Sequence, residues 1–191
     1  ICDDIVRLAN DPQAALTDPD MAEFAPFMGQ SQISLSALQH LIDGLLFDQG
    51  EVRLADEAAL VKYGYQVAGT VGVMMCPVLS CHEKVAQDFA IDLGIAMQFT
   101  NIARDVLEDA KMGRRYLPAS WVAGLSPDEI EAGALSGDAP IIRTVQSAIR
   151  QLLGRADAYY QSGMSGLCFL PKRAHVAIAI AAYSYRQIGV Q

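Results

Sequence analysis

The chain has 191 residues, of which 52% are hydrophobic and 7% aromatic, and its formal net charge is −8. This length predicts a single domain that buries its own core, and the abundance of Ala, Leu, Ile and Met favours helices that enclose apolar volume. The acidic balance argues against nucleic acid as a partner, because a protein that binds the phosphate backbone needs a basic surface.

The first predicted helix of full length follows an irregular N-terminal region. Residues 1–10 look like the end of a helix, and residues 10–21, with their Pro and Asp, predict loop or short helices. The run 35–48 has apolar residues at i, i+3 and i+4 spacing, which predicts an amphipathic helix. Either Ser31 or Ser34 is expected to cap it.

The segment 56–79 carries the longest uncharged stretch of the chain. Residues 63–82 contain no Asp, Glu, Lys or Arg, and a stretch of that length is long enough to be considered as a membrane span. Polar residues within the stretch and the helix break expected at Pro77 favour a buried helix instead. Gly69 and Gly72 lie one turn apart, so a ligand or a second helix can approach the backbone closely there.

The rest of the chain also predicts helices. One long helix is expected at 82–112, ended by Gly113. Beyond it, the pattern predicts a short helix opened by Ser126, a loop at 133–137, an amphipathic helix at 139–162, a turn at 163–170 and a last helix from Pro171. No segment alternates as a strand does, so the fold class expected is all-α, a single domain with helices around a central cavity.

The long helix carries oxygen-bearing side chains along one face. At about 100° per residue they fall in a stripe about 80° wide, and its members are Gln98, Asn101, Asp105 and Asp109. Asp105 and Asp109 stand at i and i+4, where like charges destabilise a bare helix, so a positive partner is expected between them. A divalent cation of the Mg²⁺ type fits, although a solvated face balanced by nearby basic residues has the same spacing.

The longer string around this stripe resembles the second aspartate-rich motif of the squalene and phytoene synthase family, the head-to-head prenyl transferases. The matching residues are Gln98-x-x-Asn101-x-x-Arg104-Asp105-x-x-Glu108-Asp109 and Gly113-Arg114-x-Tyr116-Leu117-Pro118. The resemblance implies that Asp105 and Asp109 bind Mg²⁺, or Mn²⁺ in its place. It implies that Gln98 and Asn101 lie beside the substrate and the metal, Asn101 as a further candidate ligand. It also implies that Arg104 contacts diphosphate, with Arg114 and Arg115 over the same site.

Other segments resemble the same family. The run from Tyr65 to Met75 resembles its YxVAGxVGxM pattern, which implies that Tyr65 lies near the reacting centre. The same resemblance implies a cavity wall beside the prenyl chains, made by Val67, Gly69 and Gly72 with Ile95 of the long helix. Tyr185 corresponds to an active-site tyrosine, with an aromatic plug as the alternative. Asp48 and Arg53 resemble an acid and a substrate-binding arginine of the family, and a plain helix end with a loop salt bridge is equally compatible with the sequence.

The N-terminal residues resemble the start of the family's first aspartate-rich motif. Cys2-Asp3-Asp4-Ile5-Val6 matches it, which implies that Asp3 and Asp4 are metal ligands. The family has a further acid where this chain has Arg7. Either that carboxylate is lost, or residues are missing between 6 and 7. The family's preceding segment, with substrate-contacting Ser, Tyr and Arg, has no counterpart here.

The resemblance implies Mg²⁺-dependent condensation of two prenyl diphosphates, with two geranylgeranyl diphosphates giving phytoene through a cyclopropyl diphosphate, a step of carotenoid biosynthesis. One alternative is squalene, dehydrosqualene or presqualene diphosphate formation from farnesyl diphosphate, with NADPH needed only for squalene. A terpene cyclase and a non-catalytic helical lipid-binding protein are further alternatives.

Cysteine and histidine usage bears on the compartment. The four cysteines form no CxxC pair and the three histidines keep no ligand spacing, which indicates free thiols in a reducing compartment and no zinc site. No signal peptide is visible. The expected location is cytoplasmic, with peripheral membrane contact left open because substrate and product would be lipids. The sequence does not determine the oligomeric state.

Overall fold

The computed structural model describes residues 3–4, 7, 17–23, 26 and 32–189. Over these residues the chain is helical, and its extended pairing is limited to one isolated bridge between Arg53 and Arg115. The all-α prediction is therefore confirmed. The elements are α1 (Leu35–Phe47), α2 (Glu57–Gly64), a π-helical turn (Tyr65–Gly69), α3 (Thr70–Val78), α4 (Lys84–Lys111), α5 (Pro127–Ser136), α6 (Ala139–Ser165), a 3₁₀ turn (Gly166–Phe169) and α7 (Lys172–Ile188).

Local signals explain where most helices begin. The Ser34 side chain accepts a hydrogen bond from the Ala37 N–H, so Ser34 caps α1. Ser126 and Glu129 form a reciprocal capping box at the start of α5. The predicted caps at both helices are confirmed.

Two predicted loops are helical instead. α5 runs on to Ser136 and ends at Gly137, whose φ of 72° is left-handed, and α6 runs on to Ser165. Tertiary packing explains both differences. A Cβ at Gly133 would lie 2.5 Å from the Ile141 side chain, and one at Gly163 would lie 2.7 Å from Leu93. Glycine is used at these positions for close packing inside a helix, which overrides its weak helix propensity.

Helix α4 is the centre of the molecule, and α6 packs along it. Phe99 and Ile102 of α4 are buried together with Leu152 and Tyr160 of α6 in the main core. Burial of each large side chain contributes about 1.5–3 kcal/mol. The hydroxyl groups of Thr100 and Tyr160 share a buried hydrogen bond of 3.1 Å, so this buried polar pair is satisfied.

Helix α3 crosses α4 with the two backbones almost touching. A Cβ at Gly72 would lie 2.2 Å from the Ala90 carbonyl oxygen, and a Cβ at Gly94 would lie 2.4 Å from that of Ala68. Only glycine fits at such distances, and the prediction that Gly72 lets a second helix approach is confirmed. Ala68 belongs to the π turn that directly precedes α3, so the close approach to α4 begins in that turn. Turns of this kind often occur at functional sites.

None of the helices given above combines the length and the apolar character needed to cross a bilayer. The uncharged stretch at 63–82 is divided between α2, the π turn and α3, and α3 ends at Val78. Pro77 lies inside the last turn of α3, so the break falls one residue after it.

Candidate functional site

An apolar cavity of about 340 Å³ lies between α3, α4 and the C-terminal helices. Its walls are aliphatic and aromatic over most of their area, and three polar side chains, Gln98, Asn101 and Tyr185, stand at one end. The structure therefore contains a cavity with a dry part and a polar end. The lining residues from α4 are Ala86, Phe89, Ala90, Leu93, Gly94, Met97, Gln98 and Asn101.

The polar stripe of α4 continues from the cavity into a partly buried pair of carboxylates. Asp105 and Asp109 follow Asn101 by one and two turns, and both are partly buried. The Asn101 amide N–H donates to the Gln98 Oε1 at 3.5 Å, whereas its Oδ1 is buried and has no hydrogen-bond partner among the described residues. A buried carbonyl oxygen without a donor is costly unless a cation or water occupies the space beside it.

Arg104 holds Asp105 through two hydrogen bonds. Its Nε and Nη2 donate to the two carboxylate oxygens of Asp105, each at 2.6 Å. These bonds raise the pKa of the Arg104 guanidinium above its ordinary value. The Arg104 side chain is 49% exposed, and an exposed pair of this kind contributes only about 0–1 kcal/mol. The guanidinium can therefore exchange Asp105 for another anion at little cost.

The surroundings of the Asp109 carboxylate disfavour its negative charge. Burial, and secondly the negative charge of Asp105, raise the pKa of Asp109 from 3.8 to about 6, although Arg114 opposes the shift. The end of α4 explains why Arg114 is there. The Arg114 N–H donates to the Asp109 carbonyl at 2.8 Å and the Gly113 N–H to that of Ala110 at 2.9 Å, a Schellman motif with Gly113 at φ 72°. This motif places the residue after the glycine beside the helical residue five positions earlier, so the Arg114 guanidinium lies near the Asp109 carboxylate.

The donor set fits a hard divalent cation. Two carboxylates at i and i+4, one of them with a raised pKa, and the unpartnered Asn101 oxygen are the oxygen ligands that Mg²⁺ prefers. The part of the chain that the structure describes contains no group of three or more Asp, Glu, His or Cys side chains placed to hold a metal ion.

Asp48 lies near Asp109 and accepts hydrogen bonds from two tyrosines. The hydroxyl groups of Tyr63 and Tyr116 donate to its two carboxylate oxygens at 2.9 and 2.8 Å, and Arg114 Nη2 donates to its backbone carbonyl at 3.1 Å. Sequence reasoning paired Asp48 with Arg53 and found no signal for the two tyrosines, which come from different segments.

Arg53 stabilises the turn after α4. It forms an ion pair of 3.5 Å with Glu51, which is a loop salt bridge as in the alternative interpretation, and its Nη1 donates to the Gly113 carbonyl. Arg53 therefore reaches the start of the arginine-rich turn, and its contact with substrate stays a prediction.

The two adjacent arginines of that turn occupy different environments. Arg115 is buried, its Nη1 donates to the Leu117 carbonyl at 2.7 Å, and its Nε has no partner among the described residues. Burial, and secondly the charge of Arg53, lower the pKa of Arg115. Arg114 lies near Asp109, and Arg115 lies inside the turn that supports Arg114.

Of the four residues that the family resemblance placed in the cavity wall, two line the cavity and two do not. Val67 and Gly72 line the cavity, whereas Gly69 packs on Ile91 and Ile95 lies in the main core. The cavity faces a side of α4 rotated away from Ile95. Steps of four residues back from Asn101 reach Met97, Leu93 and Phe89, all of which line the cavity. That spacing is the sequence signal for these missed residues.

Tyr65 lies in the π turn and is tied to α1. Its hydroxyl and the Nδ1 of the exposed His40 are 3.2 Å apart, and the two rings meet edge to face. Tyr185, in α7, lines the polar end of the cavity beside Asn101. The structure therefore brings Tyr185 into the cavity wall, while Tyr65 contacts α1.

The N-terminal acids have separate environments. Asp3 is exposed, whereas Asp4 is fully buried and accepts hydrogen bonds from the backbone N–H groups of Thr17 and Asp18. Burial alone would raise the pKa of Asp4, but these hydrogen bonds outweigh it and the pKa lies below its ordinary value. A metal-binding role for Asp3 and Asp4 stays a prediction, and residues 1, 2, 5 and 6 of the first motif lie outside the described residues.

The fold is all-α and surrounds an apolar cavity, with carboxylates and arginines beyond its polar end. Comparison with solved structures identifies it as a helical fold of the squalene synthase type. Squalene synthase HpnC from Alicyclobacillus acidocaldarius superposes with a TM-score of 0.80 at 19% identity, covering 98% of this chain and 69% of that one. A dehydrosqualene synthase in complex with ligand superposes with a TM-score of 0.71 at 23% identity, covering 96% and 65%.

The family model for squalene/phytoene synthase matches residues 3–191, and the chain belongs to that family. It is 39% identical over 181 residues to a phytoene synthase of Pseudescherichia vulneris, covering 93% of this chain and 56% of the relative. It is 43% identical over 158 residues to a phytoene synthase of Thermus thermophilus, covering 82% and 52%. The chain thus spans little more than half the length of these curated relatives.

Proposed function

We propose that the protein catalyses the Mg²⁺-dependent head-to-head condensation of two geranylgeranyl diphosphates to phytoene. The observation that carries the proposal is the continuity of the α4 face, which runs from an apolar cavity through Asn101 to a carboxylate pair short of positive charge. The relatives at 39% and 43% identity are named phytoene synthases, which supports C20 rather than C15 substrates.

The shape and polarity of the site suit an allylic diphosphate. Its prenyl chain would lie along the wall made by Val67, Leu93 and Met97, and its diphosphate would lie at the Asn101 end. An acidic site needs metal to accept such an anion. Asp105 and Asp109, with the Asn101 oxygen, would hold Mg²⁺ through oxygen ligands, and diphosphate oxygens would complete the coordination. Bound Mg²⁺ supplies Lewis-acid stabilisation of the departing diphosphate.

The arginines balance the charge that develops on the leaving group. Among the described residues, the hydrogen bonds of the Arg104 side chain are those to Asp105, and they are exposed. Arg104 can therefore turn towards diphosphate once Asp105 binds the metal ion. Arg114 is fixed by the Schellman motif and by the Asp48 carbonyl, so it is oriented before substrate binds.

The cavity wall protects a cationic chain from water. The aliphatic lining offers no nucleophile near the reacting carbons, and the Tyr185 ring at the polar end offers a π face to positive charge. Capture of the allylic cation by the double bond of the second substrate, with loss of one proton as the cyclopropane ring closes, gives a cyclopropyl diphosphate. Its ionisation and rearrangement, with loss of a proton, give phytoene. Two diphosphates leave for each product.

We further propose that the cavity opens towards a membrane surface from a cytoplasmic location. Val71 and Met75 line the cavity and are 40% and 39% exposed, and Val78 beside them is 55% exposed. An apolar rim continuous with an apolar cavity suits the transfer of a lipid substrate and product.

The test is incubation of the full-length protein with Mg²⁺ and either geranylgeranyl or farnesyl diphosphate, with product and released diphosphate measured by mass spectrometry and a coupled assay. We expect a C40 hydrocarbon and two diphosphates per product from the C20 substrate. Asp105→Asn should lower turnover at least about 100-fold, whereas Asp88→Asn, an exposed acid on the same helix, should leave it unchanged.

The alternatives make different predictions in the same assay. Preferential use of farnesyl diphosphate would favour a C15 synthase, with NADPH required if squalene is the product. Diphosphate release from neither substrate would favour a non-catalytic lipid-binding protein and contradict the proposal.

A further inference from the structure

Two thiols meet at the end of the cavity remote from the carboxylates. Cys76 in α3 and Cys81 just after it are each 4% exposed, and both line the cavity with Ala86. Ala86 and Asn101 are fifteen residues apart on α4, so the thiols lie about 22 Å from the polar end. Neither cysteine takes part in the chemistry proposed above.

The end of α3 explains why the two side chains are adjacent. The Cys81 N–H donates to the Cys76 carbonyl at 2.8 Å and the Ser80 N–H to that of Pro77 at 3.0 Å, while Ser80 has a left-handed φ of 57°. These two bonds form a Schellman motif, in which the side chains at the positions of Cys76 and Cys81 pack against each other. The same motif at the end of α4 brings Arg114 to Asp109.

The local environment keeps Cys76 in the thiol form. The Cys76 thiol donates to the Gly72 carbonyl at 3.4 Å. Burial, and secondly the neighbouring Cys81, raise the pKa of Cys76 to about 11. A single buried thiol of this kind reacts slowly, because the thiolate is the nucleophile. A second thiol in contact changes the outcome, since it can resolve any mixed disulfide that forms on the first.

We propose that Cys76 and Cys81 form a covalent-modification site in the cavity wall, which a small, neutral disulfide entering the cavity converts to an internal disulfide. One protein thiolate attacks the sulfur–sulfur bond of the reagent, forms a mixed disulfide and releases one small thiol. The second protein thiolate attacks the sulfur of the first cysteine and releases the other small thiol. The two protein thiols are oxidised, and the reagent disulfide is reduced to two thiols. The new bond ties the loop after α3 to the helix end.

The experiment uses a Cys2→Ser/Cys168→Ser protein, which retains only this pair. Cys168 is exposed and Cys2 lies outside the described residues, so both are removed as competing thiols. The folded protein is treated with bis(2-hydroxyethyl) disulfide, denatured in acid, alkylated at neutral pH in denaturant and analysed by peptide mass spectrometry. We expect the peptide carrying both cysteines to lose two hydrogens and escape alkylation. We also expect a midpoint of thermal unfolding a few degrees higher, reversed by dithiothreitol.

Control variants separate proximity from general reactivity. Cys76→Ser and Cys81→Ser in the same background should stop at a mixed disulfide or at the free thiol. The proposal is overturned if the two-cysteine protein ends with two alkylated thiols or two separate adducts, or if the internal disulfide forms only after unfolding in urea. All these readouts are independent of turnover, so the result does not depend on the proposed synthase activity.

Discussion

Replacing Asp109 with Asn should stabilise the metal-free protein while it abolishes metal binding. The substitution keeps the shape of the side chain and removes one of two like charges. The pKa of Asp109 is about 6, against an ordinary value of 3.8, and this difference corresponds to about 3 kcal/mol of penalty for ionising the folded protein at neutral pH. Because Asp109 is only about half-buried, solvent screening reduces the expected gain to about 1 kcal/mol.

The pH dependence gives the sign of the effect. A carboxyl group whose pKa is raised on folding costs no stability below its unfolded pKa, near 3.8, and costs progressively more as the pH rises through about 6. The advantage of Asp109→Asn should therefore be full at pH 7.5 and disappear near pH 4. Urea unfolding in a chelating buffer at both values measures it, with Asp88→Asn as a control that removes an exposed charge from the same helix.

Adding Mg²⁺ and inorganic diphosphate should reverse the order of stability. At ligand concentrations 100-fold above the dissociation constant, the wild-type protein gains about 2.7 kcal/mol, and Asp109→Asn gains much less because a ligand oxygen has been replaced. The variant should then be the less stable protein. A loss of stability for Asp109→Asn in metal-free buffer at pH 7.5, or an equal response to Mg²⁺ and diphosphate, would refute this account of the site.

Four further outcomes are expected. Gly94→Ala should destabilise the protein by about 1–3 kcal/mol, because its Cβ would lie 2.4 Å from the Ala68 carbonyl oxygen in the π turn. Gly154→Ala, with open space around the new methyl group, should stabilise the protein by about 0.5–1 kcal/mol. Urea titration measures the stability change of both glycine variants. Asp48→Asn should cost about 1–3 kcal/mol, since two tyrosine hydroxyls donate to this carboxylate, and the exposed Asp43→Asn should change stability by less than about 0.5 kcal/mol. Stabilisation by Mg²⁺ and diphosphate, followed as a thermal shift, should fall as the pH drops below about 6, because protons compete for Asp109.

The sequence by itself determined the helical class, several helix ends and the polar stripe. Apolar spacing and capping residues such as Ser34 and Ser126 act within a few residues, so they can be read without the fold. The stripe from Gln98 to Asp109 depends only on the period of one helix, and Gly113 ends that helix as predicted.

Only the tertiary structure decided which side chains meet across helices. It gave Asp48 two tyrosine partners in place of Arg53, buried Arg115 while leaving Arg114 at the carboxylates, and turned the cavity towards Leu93 rather than Ile95. Such contacts depend on where helices cross, and a crossing is set by backbone approach at a few positions such as Gly94. A helical period records which residues share a face, whereas the partner of that face is fixed only when distant segments pack together.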